Sequence, residues 1–174
     1  MPFMHREEHV DEGMLIIQAN LDDMNPEHCP YVTDRLLEAG ANDVYWIPIL
    51  MKKGRPGLML NVLTDEAKLG DLESIIFTET STLGLRYVRA ACHRLARSFE
   101  PVETPWGTVS VKVGRYKGDL VQFAPENRDC ERLAREHNVP LKAVYEEARR
   151  GFLASRDGKV DGADESGGTN RSGR

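Results

Sequence analysis

Residues 14–21 make a short apolar, partly β-branched run that Asp22 and Asp23 bring to an end, and this pattern predicts a first strand. The residues before it, 1–13, are polar and irregular. Asn25-Pro26-Glu27 then offers an N-cap, a proline at the first helical position and an acid in the first turn. Tyr31, Val32, Leu36, Leu37 and Ala39 follow at roughly helical spacing, and Ala39-Gly40 gives a stop, so an amphipathic helix is expected here. Residues 44–51 are apolar and aromatic, 52–57 are dense in turn residues, and 58–63 are apolar again, which predicts strand, turn and strand. Thr64-Asp65-Glu66 opens a second helix with an N-cap and early acids. It carries Leu69, Leu72, Ile75 and Ile76 and ends near residues 77–80, after which 83–91 resumes strand character.

The predicted order is β-α-β-β-α-β, the split βαβ arrangement of an α+β, ferredoxin-like sandwich. Beyond it, 99–104 and 108–116 flank Pro105-Trp106-Gly107 as a hairpin, and 119–124 follows a second turn at Gly118, an antiparallel extension. Residues 126–137 and 140–150 predict two short helices, the second starting at Pro140. From about Ala154 the composition collapses to small, polar and charged residues that cannot offset their own ordering entropy. The expected organisation is a ferredoxin-like domain over 14–95, a hairpin and helical extension over 96–152, and a disordered tail over 153–174.

This topology has a consequence for chemistry. The first and second strands run parallel, the third lies between them and antiparallel to both, and the fourth flanks the first. The end of strand one, the hairpin joining strands two and three, and the entry to strand four therefore share one end of the sheet. Those places hold Asp22, Asp23, Asn25 and Glu27; Lys52, Lys53 and Arg55; and Glu79, Thr80, Ser81, Thr82 and Arg86. Carboxylates, cations and hydroxyls at one rim are the inventory for a triphosphate with its divalent ion, since Mg²⁺-type ions bind through one or two carboxylates plus substrate phosphates.

Charge and composition narrow the picture. A net charge of -5 argues against general affinity for nucleic acid or anionic membrane, so any phosphate site is local. With no membrane-length apolar run and no signal-peptide pattern, a soluble, cytoplasmic protein is expected. Cys29, Cys92 and Cys130 are odd in number and widely spaced, which supports neither a disulfide framework nor a zinc ribbon. His5, His9, His28, His93 and His137 lack metal-ligand spacing, and the common phosphate loops are absent. Cys130, near a predicted helix start, is either a thiol activated by the helix dipole or a small buried apolar residue.

Each rim motif also has a purely structural reading. Asp22, Asn25 and Glu27 serve to cap a helix and complement its dipole; Lys52, Lys53 and Arg55 are a solvated hairpin; Thr80, Ser81 and Thr82 end a helix. Only their joint placement favours a site.

The segments Asn20-Leu21-Asp22-Asp23-Met24-Asn25-Pro26-Glu27, Met51-Lys52-Lys53-Gly54-Arg55-Pro56-Gly57, Glu79-Thr80-Ser81-Thr82-Leu83-Gly84, and Ala124-Pro125-Glu126 with Asp129-Cys130 resemble, in order and spacing, the nickel-pincer cofactor nickel insertases of LarC type. The likeness covers about residues 14–150. It implies a CTP-dependent metallochelatase of the lyase class, using CTP with Mn²⁺ or Mg²⁺ to place Ni²⁺ in pyridinium-3,5-bisthiocarboxylic acid mononucleotide, with this chain as the nucleotide-binding C-terminal half and a homo-oligomeric assembly. Carried over, Asp22, Asp23 and Glu27 hold the divalent ion, Asp22 and Asp23 also being the catalytic candidates. Lys52, Lys53 and Arg55 take the phosphates, Thr80, Thr82 and Arg86 line the pocket, and Glu126 joins the nucleotide-binding set. Members of that family have a substantial N-terminal region, often histidine-rich, which this chain lacks; a separate nickel-handling chain or a standalone relative would account for that.

Two other functions compete: a non-catalytic nucleotide-sensing or assembly module, which predicts binding without turnover, and RNA binding on the open sheet face. The latter is disfavoured by an aromatic content of 7% and the lack of an aromatic RNA-binding strand.

Overall fold

Strand β1, His9–Leu21, starts five residues before its apolar run. Its pairing with β3 begins only at Met14↔Asp65, so the earlier residues need backbone partners but no apolar side chains, and hydropathy carried no sign of them. The computed structural model describes residues 7–160, and side chains as far as 156. By contact the chain divides into two units, Val10–His93 and a second that holds the described residues from Arg94 onward together with residues 7–9.

In the first unit, a 3-10 turn at Pro26–His28 leads into helix α1, Cys29–Glu38, with the Asn25 side chain accepting the Glu27 backbone N–H at 3.1 Å. Gly40, at φ 96°, ends the helix in the left-handed conformation that glycine adopts most readily, and Ala41 N–H closes onto Leu36 C=O at 3.0 Å. Strands β2, Asp43–Met51, and β3, Arg55–Asp65, follow, then helix α2, Leu69–Glu79, and strand β4, Arg86–Arg94. The sheet order is β2-β3-β1-β4, with β3 antiparallel to both β1 and β2. This is the ferredoxin-like arrangement that the hydrophobic pattern predicts. Ile17, Ala19 and Leu21 of β1 and Leu60 and Val62 of β3 bury against Val32 and Leu36 of α1 and Leu72 and Ile76 of α2.

Other boundaries also differ from expectation. Thr64 is no N-cap: it lies within β3, fully buried opposite Leu15, because ladder pairing carries the strand on to Asp65. A 3-10 turn at Glu66–Lys68 then starts the helix. Strand β4 begins at Arg86 rather than near 83, because Thr82 Oγ1 donates to Gly84 C=O at 2.9 Å and holds the preceding residues in a turn.

The second unit carries the antiparallel sheet β5-β6-β7: Ala96–Thr104, Gly107–Tyr116 and Asp119–Pro125. Helices α3, Asn127–Glu136, and α4, Leu141–Val160, cover it. Val109, Cys130, Leu133, Val144 and Ala148 form one cluster and Val102, Val111, Val113 and Phe152 another. Helix α4 is 20 residues long and passes both its expected stop at Arg150 and the expected start of the tail. Phe152 is fully buried and stacks on Phe123 with centroids 4.4 Å apart, and Arg156 reaches Glu100 at 2.6 Å, so long-range packing orders turns whose composition is polar. The rest of the expected tail, 161–174, lies outside the described residues. No helix among them is long and apolar enough to cross a membrane.

Candidate functional site at one end of the first sheet

The register that pairs Leu21 with Leu58, and Met51 with Arg55, brings the end of β1 beside the β2–β3 hairpin. The approach is close. A Cβ added to Gly57 would lie 2.6 Å from Leu21 O and 2.9 Å from Met51 Sδ, so only glycine lets β3 run this tightly past the end of β1. Lys53 at φ 61° and Gly54 at φ 69° turn the hairpin through the left-handed region. Lys52 and Lys53 are left exposed at its tip.

Two side-chain bonds join the three rim segments. Arg55 Nη1 meets Asp22 Oδ2 at 3.2 Å, with the Asp22 side chain 18% exposed and that of Arg55 57%. Ser81 Oγ donates to Asp23 Oδ1, tying the approach to β4 onto the end of β1. Asp22 and Asp23 therefore face opposite neighbours, one a cation of the hairpin and the other a hydroxyl of the β4 entry. Thr80 and Thr82 match the structural reading more closely. Thr80 Oγ1 donates to Ile76 C=O at 2.7 Å and accepts from Thr82 N–H at 3.3 Å, closing the end of α2.

Arg86, the first residue of β4, lies over the sheet face, with Nε on Gln18 Oε1 at 2.9 Å and Nη2 on Asn20 Oδ1 at 2.6 Å and Met59 Sδ at 3.2 Å. The sequence motifs do not include Gln18, and they include Asn20 only as the first residue of a matching segment, with no role assigned. The available signal was two amides inside a run that otherwise reads as apolar.

Asp22, Asp23 and Glu27 do not form a three-ligand cage. No group of three His, Cys, Asp or Glu side chains among the described residues is placed to hold a metal ion, and Glu27 stands exposed on the turn before α1. The donor set fits an ion delivered with its phosphates, since such an ion requires only one or two protein carboxylates and completes its shell from phosphate and water. Three cations beside two carboxylates suit the polyphosphate itself.

Glu126 belongs to the second unit. Its carboxylate lies 3.4 Å from Lys112 Nζ and its backbone N–H donates to Ser110 C=O at 2.8 Å. Asp129 Oδ2 accepts the Ser110 N–H at 2.9 Å, so this acid completes the ladder of β6. Cys130 is not an activated thiol: it is fully buried, and burial foremost, then the charges of Asp129 and Glu126, push its pKa up.

The family model described as nickel insertion protein matches residues 3–145. The pyridinium-3,5-bisthiocarboxylic acid mononucleotide nickel insertion protein of Clostridium acetobutylicum is 44% identical over 134 residues, which cover 77% of this chain and 32% of that protein. Its counterpart in Acetivibrio thermocellus is 42% identical over 84% of this chain and 36% of its own length. The chain thus spans about a third of the curated relatives it matches. Among solved structures, the apo C-terminal domain of a cyclometallase involved in synthesis of the NPN cofactor of lactate racemase is 40% identical, with TM-score 0.77 over 83% of this chain and 99% of that domain. A protein from Methanopyrus kandleri shares the fold at TM-score 0.61 and 23% identity.

Proposed function

Because this chain belongs to the nickel insertion protein family, we propose that its sheet rim binds CTP with Mn²⁺ or Mg²⁺. The chain would then be the nucleotide-binding C-terminal portion of an enzyme that inserts Ni²⁺, its substrate metal, into pyridinium-3,5-bisthiocarboxylic acid mononucleotide. The observation that carries this reading is the pair of contacts, Asp22 to Arg55 and Asp23 to Ser81, that gathers all three polar segments at one sheet end.

Lys52, Lys53 and Arg55 are the residues to neutralise the phosphates, with Asp22 and Asp23 as the carboxylates for the cation and as the catalytic candidates. Glu27 is a further, outlying acid, and Thr80, Thr82 and Arg86 complete the proposed set at the rim, with Glu126 of the second unit a separate nucleotide-binding candidate. When bound, CTP supplies the phosphoanhydride energy and its cation the Lewis acidity of a metallochelatase of the lyase class. The protein's part is to fix the polyphosphate by preorganised charges that need no rearrangement as the reaction proceeds. For Asp22, that entails exchanging its bond to Arg55 for the incoming cation, which releases Arg55 to the phosphates. We place the working enzyme in the cytoplasm as a homo-oligomer, with the portion of its relatives that this chain does not span handling nickel.

The test is calorimetric titration with CTP, against ATP, GTP and UTP, in the presence of Mn²⁺, repeated on Asp22→Ala and Lys53→Ala. CTP-selective binding, weakened about tenfold or more in each variant, supports the rim. Absence of binding to any nucleotide overturns it. One second reading is a module that binds nucleotide without turnover, since a ferredoxin-like fold does not by itself fix function; CTP binding without conversion of CTP in the presence of pincer nucleotide and Ni²⁺ would select it.

A further inference from the structure

The face of the first sheet turned away from its helices carries three amides, Gln18, Asn20 and Asn61, in stretches of β1 and β3 (14–21 and 58–63) that are otherwise apolar. Ile17, Ala19 and Leu21 belong to the helix-side core, so strand alternation sets Gln18 and Asn20 on the opposite face. The β1–β3 register sets Asn61 across from Gln18 and Met59 across from Asn20. Arg86 binds Gln18 and Asn20 as described; Gln18 Nε2 then donates to Asn61 Oδ1 at 2.8 Å, and Asn61 Nδ2 to Met59 C=O at 3.2 Å.

The direction of this chain is forced. A guanidinium only donates, so Gln18 turns its oxygen toward Arg86 and its NH₂ toward Asn61. Asn61 must then offer its oxygen to Gln18 and its NH₂ to the backbone. Asn61 is 1% exposed in the middle of β3, where a polar side chain is costly unless its bonds are made. Among the described residues every partner of Arg86 is neutral: two amide oxygens and a thioether. Among the described residues only Nε and Nη2 are engaged, which leaves Nη1 and the whole positive charge for a ligand. Asn20 lies two residues before Asp22, about 7 Å along the strand, within the span of one polyphosphate chain.

We infer that Gln18, Asn20 and Asn61 are positioning residues that hold Arg86 as a fixed cation beside the rim, aimed at a phosphate oxygen of the nucleotide; this rests on the triphosphate reading above. Neutral partners are the essential feature. A carboxylate would hold the guanidinium equally well but would cancel the charge that the ligand needs.

Asn20→Asp makes that distinction, since it keeps the acceptor for Arg86 and adds only a negative charge. Gln18→Met removes the acceptor on Nε. Affinity for inorganic tripolyphosphate with Mn²⁺ and for CTP with Mn²⁺, together with Tm, is measured for the wild type, both variants, Arg86→Ala, each variant combined with Arg86→Ala, and Lys53→Ala. The expected result is a loss of about tenfold for both ligands in Asn20→Asp with Tm retained, a smaller loss in Gln18→Met, and no added loss from either change once Arg86 is alanine. A merely structural role leaves Asn20→Asp binding like the wild type. If Lys53→Ala loses binding while Asn20→Asp does not, the triphosphate rim stands and the positioning role falls. If the loss appears with CTP but not tripolyphosphate, Arg86 reads the nucleoside and the phosphate assignment is overturned. If the wild type binds neither ligand, the rim reading fails and this inference fails with it.

Discussion

The two units use acids in different ways. In the second unit they serve packed elements: Asp129 completes the β6 ladder through Ser110, Glu126 holds Lys112 of the same strand, and Glu100 takes Arg156 of α4 at 2.6 Å and Arg115 of β6 at 3.8 Å. In the first unit, Asp22 and Asp23 reach the first residue of β3 and a residue of the β4 approach, 33 and 58 positions away in the chain, and both bonds lie at one sheet end. Acids bonded inside packed elements secure the fold, whereas acids whose partners stand at converging element ends and loops can exchange those partners for a ligand.

The largest expected effect tests the first half of that contrast. Phe152→Ala empties a fully buried position stacked on Phe123 and should cost about 3–5 kcal/mol, read from urea denaturation. A loss below about 1 kcal/mol would mean that the end of α4 contributes little to its unit. Next is Asp22→Ala, which should weaken CTP with Mn²⁺ by about tenfold or more while leaving unfolding free energy within about 1 kcal/mol, because its partner Arg55 is more than half exposed. Equal loss of stability and binding would erase the distinction between the two units. Asp129→Ala leaves the Ser110 N–H without its acceptor and should cost about 1–3 kcal/mol of stability, with nucleotide affinity unchanged.

The smallest effect concerns Cys130. Its thiol is pushed up by burial and by the neighbouring acids, so the folded state disfavours the thiolate. The stability this confers is complete below the thiol's unfolded pKa of about 8.5 and is lost as pH rises beyond it, since only the unfolded chain then ionises freely. Cys130→Ala should flatten the fall of stability at alkaline pH, measured by urea midpoints between about pH 8 and 10; an unchanged slope would show that another group governs it.

Much of this was legible in the chain itself. The apolar runs at residues 14–21 and 58–63, and the helical spacing of Val32, Leu36, Leu72 and Ile76, predict the element order and its helix-side core, because a short continuous apolar run marks a buried strand and a 3.6-residue period marks a helix. The rim followed from topology alone. What escaped is long-range in origin. Thr64 reads as a helix cap until β1 pairs with it, Phe152 lies beyond the expected stop of the helix until Phe123 receives it, and Arg156 reads as tail until it meets Glu100. Gln18 and Asn61 look like isolated polar interruptions until the register sets them face to face.

By itself, then, the sequence determined the layers, the strand order and which loops would meet, since these depend on periodicity, turn chemistry and the limited ways a split βαβ unit can close. The tertiary structure alone decided which acid met which partner: Asp22 a cation, Asp23 a hydroxyl, Asp129 a backbone amide. Local pattern sets the position and facing of a residue along its own element. A hydrogen bond, which acts over about 3 Å, depends on the residue brought opposite by chain folded from elsewhere.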